Sequence, residues 1–127
     1  MEINIPEVHA EVTAAFETYE KALTGNDVAV LDQLFWDSAH VVRYGVTECL
    51  YGQDEILAFR KARPSSGLDR RLTRTVITTF GRDFATASTE FSRDGTARIG
   101  RQQQTWARLA EGWRVVAAHV SFMDVPA

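Results

Sequence analysis

The hydrophobic period of this chain changes once, after about residue 70, and that single change decides what it can fold into. Before it, Val8, Val12, Ala15, Phe16, Tyr19 and Leu23 recur at the three-to-four-residue spacing of one helix face, behind a Pro6 suited to a helix start. Gly25-Asn26-Asp27 ends that helix, and Asn26 or Asp27 can cap a short second one carrying Val30, Leu31, Leu34 and Phe35. Val41 to Tyr44 and Cys49 to Tyr51 read as a short hairpin around Gly45 to Glu48. A third helix, capped near Asp54, holds Ile56, Leu57, Phe59 and Arg60 and stops at Pro64-Ser65-Ser66-Gly67. After the change, Leu72 to Phe80, Phe84 to Arg93, Arg98 to Leu109 and Trp113 to Met123 read as four long antiparallel strands. They are joined by turns at Gly81-Arg82-Asp83, Asp94-Gly95 and Ala110-Glu111-Gly112. Helices grouped first and a strand meander afterwards predict an α+β layer fold, not a parallel α/β sheet. With 127 residues and no linker, repeat or low-complexity stretch, residues 1–127 form one expected domain.

Composition removes several function classes. A net charge of -3 argues against a nucleic-acid partner, whose phosphates call for a basic surface. No apolar run approaches a membrane span, and residues 1–20 lack the basic and apolar regions of a signal peptide. The one cysteine, Cys49, excludes an internal disulfide and fits a reducing compartment, so the expectation is a cytoplasmic protein with no membrane partner. There is no glycine-rich phosphate loop, dinucleotide fingerprint or nucleophile-elbow serine, and the three histidines are scattered. Any catalysis is therefore expected to use no metal and no cofactor. Twelve of the 14 basic residues are arginine, whose planar fork suits a carboxylate ligand, although GC-rich coding and surface solvation also enrich arginine.

Several residues stand out chemically. Tyr19 lies on the apolar stripe of the first helix, so its hydroxyl needs an inward partner, either a backbone carbonyl or something catalytic. Arg43 interrupts an apolar strand and must meet a carboxylate: Glu48, Asp54, Glu90 or a ligand. His119 sits in an apolar final strand and titrates near neutrality, as a core or interface histidine or as an acid/base. Of Gln102, Gln103 and Gln104, alternation places two on one face and one on the other; which face lines a cavity stays open. Arg60 and Arg63, three apart, share a helix face that is either solvated or an anion site, whereas Arg70-Arg71 is most simply solvated.

The element order, with the ending Gln104-Thr105-Trp106, Gly112-Trp113-Arg114-Val115 and His119-Val120-Ser121, resembles the nuclear-transport-factor-2-like (SnoaL-like) superfamily. That resemblance implies a cone-shaped fold, with three N-terminal helices packed on a curved antiparallel sheet, and a homodimer formed through the sheet. Phe35-Trp36, Val42-Arg43-Tyr44-Gly45, Glu48, Leu50-Tyr51-Gly52, Phe59-Arg60, Arg63-Pro64 and Gly100-Arg101-Gln102 are similar to the AtzH-like proteins of cyanuric acid (s-triazine) catabolism and relatives linked to oxalurate catabolism. In that subfamily the implied reaction converts 1,3-dicarboxyurea, a small anionic substrate, to allophanate and carbon dioxide, in pathway association with an amidase. The resemblance places catalysis on Tyr19 and Arg43. Arg60, Gln102, Gln104 and His119 are the candidate substrate contacts. The alternatives are a ureide enzyme, an isomerase or dehydratase using Glu90 or His119 as base, and a non-catalytic anion-binding accessory of an amidase.

Overall fold

A computed structural model of residues 1–127 shows three helices, α1 (Pro6–Thr24), α2 (Val28–Leu34) and α3 (Gln53–Ala62), and six strands. The strands are β1 (Val42–Tyr44), β2 (Cys49–Tyr51), β3 (Arg71–Phe80), β4 (Phe84–Ser92), β5 (Ile99–Leu109) and β6 (Gly112–Met123). They form one sheet in the order β2-β1-β6-β5-β4-β3. The architecture is the α+β nuclear-transport-factor-2-like fold that the resemblance implies: three helices on one face of a curved, open sheet.

α1 begins at Pro6, whose missing N–H is no loss in a first turn, and buries Val8, Val12, Phe16, Tyr19, Ala22 and Leu23. Asp27, not Asn26, caps α2, its Oδ1 accepting from Val30 N at 3.2 Å. α3 starts one residue before Asp54: Gly52, at φ 85°, takes the N-cap position and turns the chain directly from β2 into the helix. Asp54 and Glu55 sit instead in the first turn, where their charge opposes the positive end of the helix dipole.

One pairing is absent from the sequence pattern. β1 runs parallel to β6, with Val42, Arg43 and Tyr44 opposite Ala117, Ala118 and His119, although β3 to β6 are antiparallel throughout. The connection from β1 to β6 runs through β2, α3 and the meander β3 to β5, and Phe35, after α2, also bridges Val115 of β6 in parallel. One hydrophobic cluster joins the helices to the inner sheet face, with Trp106, Val115, Ala85 and Ala87 meeting Val12, Phe16, Leu31 and Phe35.

β6 carries a bulge. Trp106 pairs with Val115 but Thr105 with Ala117, so Val116 is the extra residue. Before it the odd-numbered Trp113 and Val115 point inward; after it Ala118 does. The phase change turns His119 out.

Candidate active site

Across the inner sheet face one register row reads Arg43 (β1), Ala118 (β6), Gln104 (β5) and Ala87 (β4). The alanines keep this row low between two long polar side chains. Gln102 lies two residues away on the same face, and Gln103 points out. Tyr19 of α1 and Arg60 of α3 close over the row, at 2% and 1% exposure.

Aromatic rings carry the guanidiniums. Arg60 lies 4.6 Å from the Phe35 ring centroid, Arg43 lies 5.4 Å from Phe59 and Arg70 lies 4.4 Å from Phe91. Two of the cations have internal counterions. Arg43 Nη1 donates to Glu48 Oε1 at 2.8 Å, and Glu48 Oε2 accepts from Thr47 N and Oγ1 at 3.1 and 2.7 Å. Burial pushes the Glu48 carboxyl up, but the bonds from Thr47 and Arg43 prevail and leave it below its ordinary value. Arg70 presents its Nε–Nη2 edge to Glu20, at 2.8 and 2.6 Å, and Nη2 also donates to Gln102 Oε1 at 3.0 Å.

Arg60, Arg63 and Arg93 have no such partner, and Arg43 is only partly satisfied. All three nitrogens of Arg60, Nε of Arg43, Nε and Nη2 of Arg63 and Nε of Arg93 are buried without a hydrogen-bond acceptor in the protein. The glutamines extend the pattern. Gln102 Oε1 is taken by Arg70 and Gln104 Oε1 by Trp106 Nε1 at 3.0 Å, while both amide nitrogens are left unpartnered. Each of these atoms is a donor, so the arrangement is complementary to a ligand whose outer atoms are acceptors.

This positive environment acts on Tyr19. Burial alone would raise its pKa, but Arg60, then Arg43 and Arg70, outweigh burial and hold the phenol below its ordinary value of 10. Burial also pulls the guanidinium of Arg60 down. Arg63, half-buried and facing Arg60, Arg43 and Arg93, is lowered to about 10.

The structure thus brings together Tyr19, Arg43, Arg60, Gln102 and Gln104, and it settles that the even-numbered glutamines face inward. His119 is a correction. It is exposed on the outer face because the Val116 bulge reverses the strand's phase, and it stands beside Tyr44 with ring centroids 6.1 Å apart. His119 and Glu90, the bases required by an isomerase or dehydratase, border instead an outer concavity of about 470 Å³. Arg70 is a second correction: its side chain is 1% exposed and paired, while Arg71 beside it is 65% exposed. Glu20, 50 residues away, supplies its counterion. Arg93 had a local signal, since Thr89, Phe91 and Arg93 continue one alternating face past the end of β4.

No curated protein matches the sequence. Among solved structures, a protein of unknown function of the DUF3225 family from Pectobacterium atrosepticum is 66% identical, with TM-score 0.95 over 96% of this chain and 95% of that one. A cystatin-like fold protein from Burkholderia xenovorans is 51% identical, with TM-score 0.95 over 99% of both chains. A nuclear transport factor 2-like superfamily protein from Salmonella enterica serovar Typhimurium shares the fold at 21% identity, with TM-score 0.78 over 95% of this chain and 94% of that one. The AtzH-like family model matches residues 1–126, nearly the whole sequence, and the chain belongs to the AtzH-like family.

Proposed function

We propose that this protein is a decarboxylating amidohydrolase that converts 1,3-dicarboxyurea to allophanate and carbon dioxide, using side chains alone. One observation carries the reading: the buried polar atoms around Tyr19 that lack a partner in the protein are all donors, and most belong to guanidiniums. A planar dianion with a central carbonyl offers acceptors to match them. Arg43 and Arg60 take carboxylate oxygens, and the amide nitrogens of Gln102 and Gln104 are free to donate to the urea carbonyl.

The reaction breaks the bond between one urea nitrogen and its carboxyl carbon. The electron pair stays on nitrogen, the carboxylate leaves as carbon dioxide, and nitrogen takes the hydroxyl proton of Tyr19. Dianion plus one proton becomes monoanion plus carbon dioxide, and the phenolate recovers its proton from water. The negative charge that leaves the carboxylate reappears on Tyr19 among the same guanidiniums. Arg43 and Arg60 therefore stay compensated through the step, which is how fixed cations lower a barrier.

The test couples the protein to an amidase that generates 1,3-dicarboxyurea near pH 8 and follows allophanate. Wild-type protein should accelerate its formation. Tyr19→Phe should keep the fold and lose about 100-fold or more of kcat, the scale of a lost general acid. Arg43→Ala should lower kcat/KM about as severely. A fully active Tyr19→Phe protein would remove the phenol from the chemistry. Release of carbamate in place of allophanate would show hydrolysis of the urea bond, and tight binding without turnover would make the protein an anion-binding accessory of the amidase.

A further inference from the structure

Arg63 is the C-cap residue of α3, three positions after Arg60, and its N still donates to Phe59 O at 3.1 Å, so its Cα continues the last helical turn. Residues so spaced have Cβ atoms about 5–6 Å apart on one face. Arg60 is fully buried and Arg63 half-buried, so the pair leads from the interior toward the surface. The buried atoms of Arg63 that lack an acceptor are Nε and Nη2. These form the edge by which a guanidinium grips a carboxylate with two parallel bonds. Arg70 shows the same edge filled, by Glu20. Arg63 has no counterpart to Glu20; its charged neighbours in the site are the cations Arg60, Arg43 and Arg93, together with Tyr19.

We propose that Arg60 and Arg63 form a two-fork clamp for a ligand with two carboxylates, in which Arg63 holds the outer one and makes the site select dianions over monoanions. 1,3-Dicarboxyurea carries two such carboxylates at short range. Across 1,3-dicarboxyurea, four bonds of about 1.35 Å at trigonal angles separate the carboxyl carbons by about 4.7 Å. That Arg63 holds the carboxylate the substrate keeps rests on the decarboxylation reading, because Tyr19 lies at the Arg60 end. Dianion selectivity does not require turnover. It also explains a single decarboxylation per visit: allophanate fills one fork only, so it binds more weakly and leaves before its second carboxylate reaches Tyr19.

Binding of glutarate and of its monoamide, glutaramate, tests the clamp by calorimetry. The two share a five-carbon chain with a spacing close to that of dicarboxyurea and differ in one charge. Wild-type protein should prefer glutarate by about tenfold or more, the scale of one charge-assisted fork. Arg63→Gln should lose most of that preference by weakening glutarate while changing glutaramate less than about threefold; Arg63→Lys should keep part of it, as charge without a fork. A variant that merely loosens the fold would weaken both ligands alike, and circular dichroism checks the fold itself. Equal affinity of wild-type protein for the two, or an Arg63→Gln protein that keeps the preference, would overturn the clamp. Should dicarboxyurea not be turned over while the glutarate preference is lost in Arg63→Gln, the clamp stands and the reaction is reassigned.

Discussion

Tyr19 and Arg43 were legible one at a time because each breaks the chemistry of its own surroundings: a phenol on an apolar helix stripe, a guanidinium in an apolar strand. What surrounds them was not legible, since Arg70 meets Glu20 across 50 residues and Arg63 meets Arg93 across 30. Against the effect of burial, Arg60, Arg43 and the remote Arg70 set how Tyr19 titrates. With its pKa held below 10 in the free protein, the acid form that donates the proton is present below that value and is lost as pH rises through it. A bound dianion offsets Arg43 and Arg60 and moves the phenol back up. The alkaline limb of kcat/KM, which reports the free enzyme, should therefore lie at lower pH than the limb of kcat, which reports the complex. Superimposed limbs would show that the substrate does not sit among these cations.

Of the elements, the long strands and α1 follow their periods closely, and the departures are local. Gly52 replaces Asp54 as the start of α3, β1 joins β6 in parallel, and one extra residue at Val116 carries His119 to the far side of the sheet. A bulge leaves no mark in an apolar run such as Val115 to Ala118, because either phase reads equally well. The β1–β2 hairpin matters most for the site. A Cβ on Gly45 would collide with the Glu48 carboxylate where it grips Arg43. Gly45→Ala should therefore fold but push Glu48 aside, leaving the Arg43 fork unaimed, and lower kcat/KM by about 10- to 100-fold, the scale of an ångström of misplacement. Glu48→Gln should act similarly. If both work through one contact, the double variant should lose little more than either single one, and a fully additive loss would separate Gly45 from Arg43.

At the scale of the whole molecule, the sheet has one covered and one bare face. Val76 and Phe84 are 49% and 55% exposed on the bare face, and Val76 lines the outer concavity that His119 borders. The superfamily resemblance implies pairing through this sheet, so sedimentation should give a dimer, and Val76→Asp should shift it toward monomer; a monomeric wild-type protein would refute the pairing. The covered face bears the cost of function. Arg60 is almost completely buried beside the Tyr19 hydroxyl and the Phe35 ring with no carboxylate paired to it, an arrangement that opposes folding unless a ligand compensates it. Replacing buried charged groups by well-packed apolar residues of similar volume ranges from neutral to stabilising by about 1–4 kcal/mol. In a chain of 127 residues each of those should move Tm by roughly 3–6 °C. Arg60→Met should thus melt several degrees above wild type by calorimetry while losing activity. Saturating glutarate should narrow or reverse that order, since it stabilises only the protein that binds it. If Arg60→Met melts lower without ligand, the arginine is compensated within the fold and the site is not poised for an anion.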